Sequence, residues 1–366
     1  MGSPWETPQA VGTIVPPTPG SATFSPGVLR RGTNWLRRHP IVALLMLTPG
    51  IPEYLSSSSS MTGILVAPLV FLLFLAFNLG LYGPGVLLIR EAAIRWRKGW
   101  GSIILLGAGY AILEEGIALS TFYNSNASVV GALGFYGHYA GVSWVWVTGL
   151  LMVHILFSIS LPILLLGLSI PETKGRSLLT ARQVRYALGI LVLDVSLLFL
   201  IVLRGERFWM GWPIFVGSLA AIGVLVLAAR WAPPTLLAAR AGSPSKPPWA
   251  LGALGLSLFP ATLLIEGFGG ALRAAPVGVI LALAGLYGTS FLLARRWVGD
   301  RENEAHLIAF AAGVIGFIGF FGFVASFPYP VVVVADVAFA FLLLRLWRRY
   351  SPAVALRPPV GTGFAG

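Results

Sequence analysis

The sequence predicts an all-α, polytopic membrane bundle of about ten transmembrane helices. Three observations predict it. The 366-residue chain is 57% hydrophobic and only 10% charged, whereas soluble domains carry about 25% charged residues. Its apolar residues recur in stretches of roughly 18 or more, the length a bilayer-crossing helix needs. Its basic residues fall between those stretches instead of gathering on a polar domain, which is where topology signals sit.

The elements follow in order. Residues 1–34 are rich in Pro, Thr, Ser and Gly, lack a basic start and an apolar core, and are expected to be a disordered tail, not a secretory signal. The first segment, Ile41 to about Leu55, is broken by Pro49 and Pro52 and ends at Glu53 and the Ser56–Ser60 run; a kinked or half-inserted helix is expected. The second, Ile64–Ile89, holds Gly80, Gly83, Pro84 and Gly85, which permit either unwinding or close helix packing. The third, Gly101–Ser120, leads into a polar, aromatic, glycine-rich loop, Thr121–Ser143. The fourth, Trp144–Ile170, the fifth, Ala187–Leu203, and the sixth, Pro213–Trp231, complete a first bundle over 35–231. A Pro/Ser/Lys linker over 232–248 is expected on the cytoplasmic side. The seventh, Trp249–Phe268, the eighth, Pro276–Ala294, the ninth, Ala305–Phe327, and the tenth, Val331–Trp347, form a second bundle over 249–347 before another disordered tail, 348–366.

Charge placement orients these segments. With the N-terminus inside, all of the 25 Lys and Arg except Arg204, Arg207 and Arg273 fall on inner segments. A miscounted helix would invert that pattern downstream, so ten crossings with both termini inside are expected. Trp144, Trp146, Trp209 and Trp212 fall near the outer interface, where indole rings prefer to lie. The net charge of +12 is thus distributed as topology signals. It points to anionic lipid headgroups of the cell membrane and away from nucleic acid. There is no cysteine, hence no disulfide and no thiolate nucleophile or ligand. No Walker loop, dinucleotide-binding glycine pattern or HExxH occurs.

One internal echo stands out. Leu81-Tyr82-Gly83 precedes Arg90 just as Leu286-Tyr287-Gly288 precedes Arg295, and a proline precedes a glutamate in segment one (Pro49, Glu53) and segment seven (Pro260, Glu266). A parallel repeat of segments one to four in seven to ten would produce it, and so would chance in an apolar sequence.

Ionisable groups inside apolar segments are costly, about 2.5–3.5 kcal/mol on insertion scales, and usually face the protein interior or a wet cavity. Glu114 and Glu115 are adjacent in segment three, about 100° apart around the helix. Packed together they cannot both ionise cheaply: one keeps a proton, or a cation sits between them. His154 lies about ten residues, roughly 15 Å, from the outer start of segment four, with Ser158 one turn on along the same face. His138, Asn124 and Asn126 in the outer loop can close such a site from above. Histidine with carboxylates and an open position is a set that binds zinc or another divalent metal. The metal-ligand reading takes Glu115, His138 and His154.

A Glu-Glu pair on one membrane helix with histidines following it resembles the CAAX-protease and bacteriocin-processing family of intramembrane proteases. The likeness covers about residues 100–170. Where the family has an Arg four residues after the second Glu, this chain has Leu119. Phe135 precedes His138 by three positions where the family has four, and His154 is followed four on by Ser158 where the family has Asn or Asp. The resemblance implies an activated water attacking a peptide bond, with Glu114 or Glu115 as base and His154 as ligand or orienting group.

Rival readings use the same residues. The carboxyls can serve as a proton- or ion-binding pair in a secondary transporter acting on a small solute, in place of a site for a membrane-embedded peptide. They can be structural, neutralised by a buried donor such as Arg90, in a scaffold whose partner covers the outer loop. Asp194 and Asp336 can bind a neighbouring helix, the favoured reading, or mark a proton path. Glu266 stands with Glu114, Glu115, Asp194 and Asp336 among the intramembrane acids that can carry chemistry, but Glu53 and Glu266 lie near the outer surface, where simple solvation is the plainer reading; Arg90-Glu91 is expected to be an ion pair at the inner boundary.

Overall fold

A computed structural model describes residues 35–59, 63, 67–238, 246–298, 304–327 and 332–351. The tail over 1–34, residues 239–245 of the linker and the end of the second tail, 352–366, lie outside the described residues, together with the inner charges Arg30, Arg31, Arg240, Arg301 and Arg357.

Each of the ten apolar segments is helical: α1 (Pro40–Leu55), α2 (Pro68–Arg95), α3 (Trp100–Ala118), α4 (Trp144–Ser169), α5 (Ala181–Gly205), α6 (Trp212–Trp231), α7 (Pro248–Ala271), α8 (Pro276–Val298), α9 (Glu304–Ala325) and α10 (Val333–Tyr350). Eight of them, α2 to α9, are long and apolar enough to cross a membrane. α1 is shorter, and α10 carries Asp336, Arg345, Arg348 and Arg349 within its 18 residues. Among the described residues the only strand pairing is a two-residue hairpin in the α3–α4 connection, β1 (His138–Tyr139) against β2 (Val142–Ser143). α5 starts six residues before the apolar stretch, because Thr180 and Gln183 form a capping box that satisfies the first free amides.

Burial sorts the helices into a centre and a rim. Of the apolar windows, 72% of α3 and 61% of α4 is buried, against 11–22% for α5, α6, α7 and α8. The rim helices expose side chains such as Leu193, Val216, Leu264 and Leu281. In water so large an apolar surface would be untenable, and lipid is the solvent that accepts it. One apolar core joins α2, α3, α5 and α6 around Leu81, Val86 and Leu106; another joins α1, α4, α9 and α10 around Ile51, Leu161 and Ile315.

Small residues set how close the helices come, the usual device where lipid removes the hydrophobic drive between helices. The Gly80–Gly85 stretch does not unwind α2; it stays helical through Pro84. A Cβ on Gly85 would lie 2.3 Å from the Tyr110 ring, and one on Gly313 of α9 would lie 2.0 Å from the Gly252 carbonyl oxygen of α7.

The C-terminal end of α2 is tied by a buried charge network. Arg90, 4% exposed, meets Glu91 at 3.3 Å and donates to the carbonyls of Thr173 and Arg176 in the α4–α5 connection. Glu91, 2% exposed, also receives Arg95 at 3.2 Å, the Leu178 amide at 2.6 Å and the Ser177 hydroxyl. The boundary ion pair read from the sequence is therefore the knot that fixes this connection, and Arg90 is not the partner of the Glu-Glu pair. Removing one member of a buried, hydrogen-bonded charge pair costs about 3–5 kcal/mol, because the other charge is left without compensation. Glu91→Gln is expected to lower stability on that scale in a denaturant or thermal unfolding series in detergent, and a loss below about 1 kcal/mol would contradict the role given to this knot.

Candidate functional site

Three helices reach the site, and each changes pitch there. α1 becomes π-helical over Gly50–Leu55, α3 over Ile112–Ala118 and α4 over His154–Ser160. A π-turn inserts one residue, widens the helix and re-aims the side chains that follow; such turns gather at functional sites. In α3 the widened turn is closed by the Leu119 amide donating to the Glu114 carbonyl at 2.9 Å. Ser120, at φ 58°, then reverses the chain so that Thr121 folds back over Glu115.

The result is a clamp of two carboxylates on one imidazole. His154 Nε2 donates to Glu115 Oε1 at 3.0 Å. On the other side of the ring, Nδ1 shares a 3.1 Å hydrogen bond with Ser158 Oγ, and Glu114 Oε2 stands 3.1 Å from the same nitrogen. That nitrogen has one in-plane direction for a hydrogen bond, and Ser158 occupies it. Glu114 Oε2 approaches as a neighbouring charge and has no hydrogen-bond partner. Exposure is 1% for Glu114, 9% for Glu115 and 3% for His154. Each of the three offers a ligand atom, and these atoms all lie within 4.8 Å of one another.

A further ring of polar groups, absent from the sequence reading, holds the clamp. Thr121 donates its hydroxyl to Glu115 Oε2, and Trp146 Nε1 donates to Thr121 Oγ1 at 3.3 Å. Trp146 thus turns inward, unlike Trp144 and Trp212, which are 44% and 68% exposed. Tyr82 and Tyr110 flank Glu114 within electrostatic reach, and the Tyr110 hydroxyl is buried with no partner. Tyr82 Oη donates to Glu53 Oε1 at 2.5 Å, and Ser59 Oγ donates to Glu53 Oε2 at 2.6 Å. Tyr82 had a visible signal in the repeated Leu-Tyr-Gly triplet. Thr121 and Tyr110 had none, since ordinary loop and helix positions do not advertise a fold-back or a facing.

Several expectations are corrected. Glu53 is half-buried and doubly hydrogen-bonded, not solvated, because the π-turn of α1 points it at α2. Glu266 is 7% exposed, because α4 offers it a glycine surface at Gly149. His138 is exposed in the hairpin and shares a 3.0 Å bond with Ser143, so the converging group is Glu114, Glu115 and His154 without it. Asn124 does not close the site: it donates to Glu206 at 2.6 Å, and Asn126 is exposed. Asp194 packs on Gly80 of α2 and Asp336 on Gly319 of α9, each against a neighbouring helix as expected.

Comparison of the chain with protein-family models, curated proteins and solved structures returns no match. The hydroxyls on the clamp set a measurable order. Thr121→Val removes the donor to a buried carboxylate oxygen and is expected to cost about 1–3 kcal/mol, whereas Ser158→Ala leaves Nδ1 beside Glu114 and is expected to cost about 1 kcal/mol or less. Unfolding midpoints of the two variants check the order, and equal losses would contradict it.

Proposed function

We propose that the protein is a multi-pass integral membrane hydrolase, of the peptide-cleaving kind, working at a divalent metal such as zinc. The observation that carries this reading is the buried convergence of Glu114, Glu115 and His154, one ligand atom each, within 4.8 Å. The donor set fits the group: carboxylates and imidazole are zinc ligands, and three protein ligands leave a position open for chemistry. Glu114 Oε2, 3.1 Å from His154 Nδ1 and with no hydrogen bond of its own, stands where it could share a cation with that set.

When bound, such an ion polarises a carbonyl and eases deprotonation of water. The chain's own groups do the rest. Thr121 and Ser158 hold Glu115 and His154 in place, so that both keep their geometry while charge moves. The carboxylate oxygen of Glu114 that does not serve as a ligand takes a proton from the attacking water as the water oxygen bonds to the carbonyl carbon. Glu114 returns that proton to the leaving nitrogen as the carbon–nitrogen bond breaks. The partial resemblance to the CAAX-protease and bacteriocin-processing family agrees with this chemistry and names a membrane-embedded peptide as the substrate class.

A second reading has its own observation. Both ring nitrogens of His154 are already engaged, Nε2 by Glu115 and Nδ1 by Ser158, which suits a proton shared along the clamp in a proton-coupled carrier. Metal analysis separates the two. The hydrolase reading expects about one divalent ion per purified chain, lost in a Glu114→Gln/Glu115→Gln double variant together with cleavage of membrane peptides. Metal-free protein whose proton or solute flux in vesicles fails in Glu115→Gln supports the carrier. Unchanged cleavage and flux in the double variant would sink both.

We further propose ten crossings of the cell membrane with both termini inside. The absence of native cysteine makes this directly testable. In intact cells a membrane-impermeant maleimide is expected to label Ser128→Cys, and to label Thr235→Cys only after permeabilisation. The reverse pattern contradicts the orientation.

A further inference from the structure

The second half of the chain carries an acid that the clamp does not use. Glu266 of α7 is 7% exposed. Its Oε1 lies so close to Gly149 of α4 that a Cβ there would stand 2.0 Å away. One turn earlier on α7, Thr262 shares a 2.9 Å hydrogen bond with Tyr287 of α8, and Tyr287 lies within electrostatic reach of Glu266. Among the described residues Glu266 takes part in no ion pair.

Among the described residues the surroundings contain no counter-charge. From α8 the facing titratable group is Tyr287. From the outer loop it is Tyr136, whose hydroxyl lies beside Gly269 and donates to the Ala274 carbonyl. α9 has no ionisable residue between Leu307 and Ala325, and its His306 bonds the Lys246 carbonyl at the inner end. On α10, Asp336 is turned to Gly319 of α9. On α4, His154 lies five residues beyond Gly149, which places it about 140° further round that helix.

The setting repeats the first half of the molecule. There, Tyr82 of α2 donates to Glu53 of α1; here, Tyr287 of α8 lies within electrostatic reach of Glu266 of α7. Both tyrosines sit in Leu-Tyr-Gly triplets, and both acids follow a helix proline, Pro49 or Pro260. The echo in the sequence is thus an acid-and-tyrosine helix pair used twice. The copies differ in one respect that matters chemically. Glu53 is held by two donated hydrogen bonds, while the Tyr287 hydroxyl is paired with Thr262.

We infer that Glu266 is a second proton-binding site, on a face of α4 different from the one that carries His154. A buried carboxylate without a cation is costly in an apolar interior. A carboxyl kept only to lock two helices would be expected to hold a fixed partner, and among the described residues Glu266 holds none. The adjacent Thr262–Tyr287 pair consists of two hydroxyls that can rotate, each able to donate to a carboxylate or accept from a carboxylic acid. The exchange forms and breaks one O–H bond and needs no co-reactant beyond water. The inference goes beyond the hydrolase reading and stands whether or not the clamp binds metal.

Infrared difference spectroscopy of the full chain in lipid nanodiscs tests it, between about pH 5 and pH 9. A carboxylic-acid carbonyl band is expected that converts to carboxylate bands as pH rises, is missing in Glu266→Gln and persists in Glu115→Gln. A Glu266→Gln spectrum that superimposes on the parent throughout, or a band that does not titrate, overturns the inference. Should that variant not fold, Tyr287→Phe keeps the carboxyl and removes its hydroxyl neighbour. A shift of about one pH unit in the midpoint, a tenfold change in proton affinity, supports the inference, and an unmoved midpoint overturns it.

Discussion

One imidazole between two carboxylates is the interaction on which the rest depends. Glu114 and Glu115 are consecutive residues at the centre of a bundle built of apolar side chains, and both are buried. Left facing each other they would repel, and the low dielectric would enlarge the repulsion. His154 meets both acids at 3.0–3.1 Å. It turns a liability into a polar unit that still has one oxygen unsatisfied.

Much of the fold serves to bring these three side chains together. α3 and α4 are the most buried of the long helices, and both leave α-helical pitch where they meet. A π-turn gives up regular hydrogen bonding, so its presence at the same level in α1, α3 and α4 argues that tertiary contacts hold it there. The α3–α4 connection contributes Thr121, and the start of α4 contributes Trp146. At the far end, the Arg90–Glu91 knot pins the connection leaving α4. The lipid-facing helices α5 to α8 enclose this centre, and α7 and α8 carry a second polar pair of their own.

The sequence made the helices legible because bilayer thickness demands long apolar runs, and charge between them marks their ends. Helix starts were less legible. α5 begins at a capping box that hydropathy does not see, and α2 runs on to Arg95 because its polar end is paired inside the protein. Of the site, the Glu-Glu pair, His154 and Ser158 could be read from placement in apolar segments and from helical spacing. Thr121, Trp146 and Tyr110 could not, since their contribution depends on a reversal at Ser120 and on which face of α3 meets α2. Glu53 and Glu266 were misjudged for one reason. Closeness to the outer end of a helix indicates depth in the membrane and says nothing of lateral burial, which a π-turn decides for Glu53 and a facing glycine for Glu266.

The clamp is most directly tested by a double-mutant cycle between Glu115→Gln and His154→Gln, read from unfolding free energies of the two single variants and the double variant. Residues in direct, buried contact couple by about 0.5–3 kcal/mol. A coupling of about 2 kcal/mol or more is the result expected here. Additive losses, agreeing within about 0.5 kcal/mol, would mean that the imidazole and the carboxylate do not hold each other.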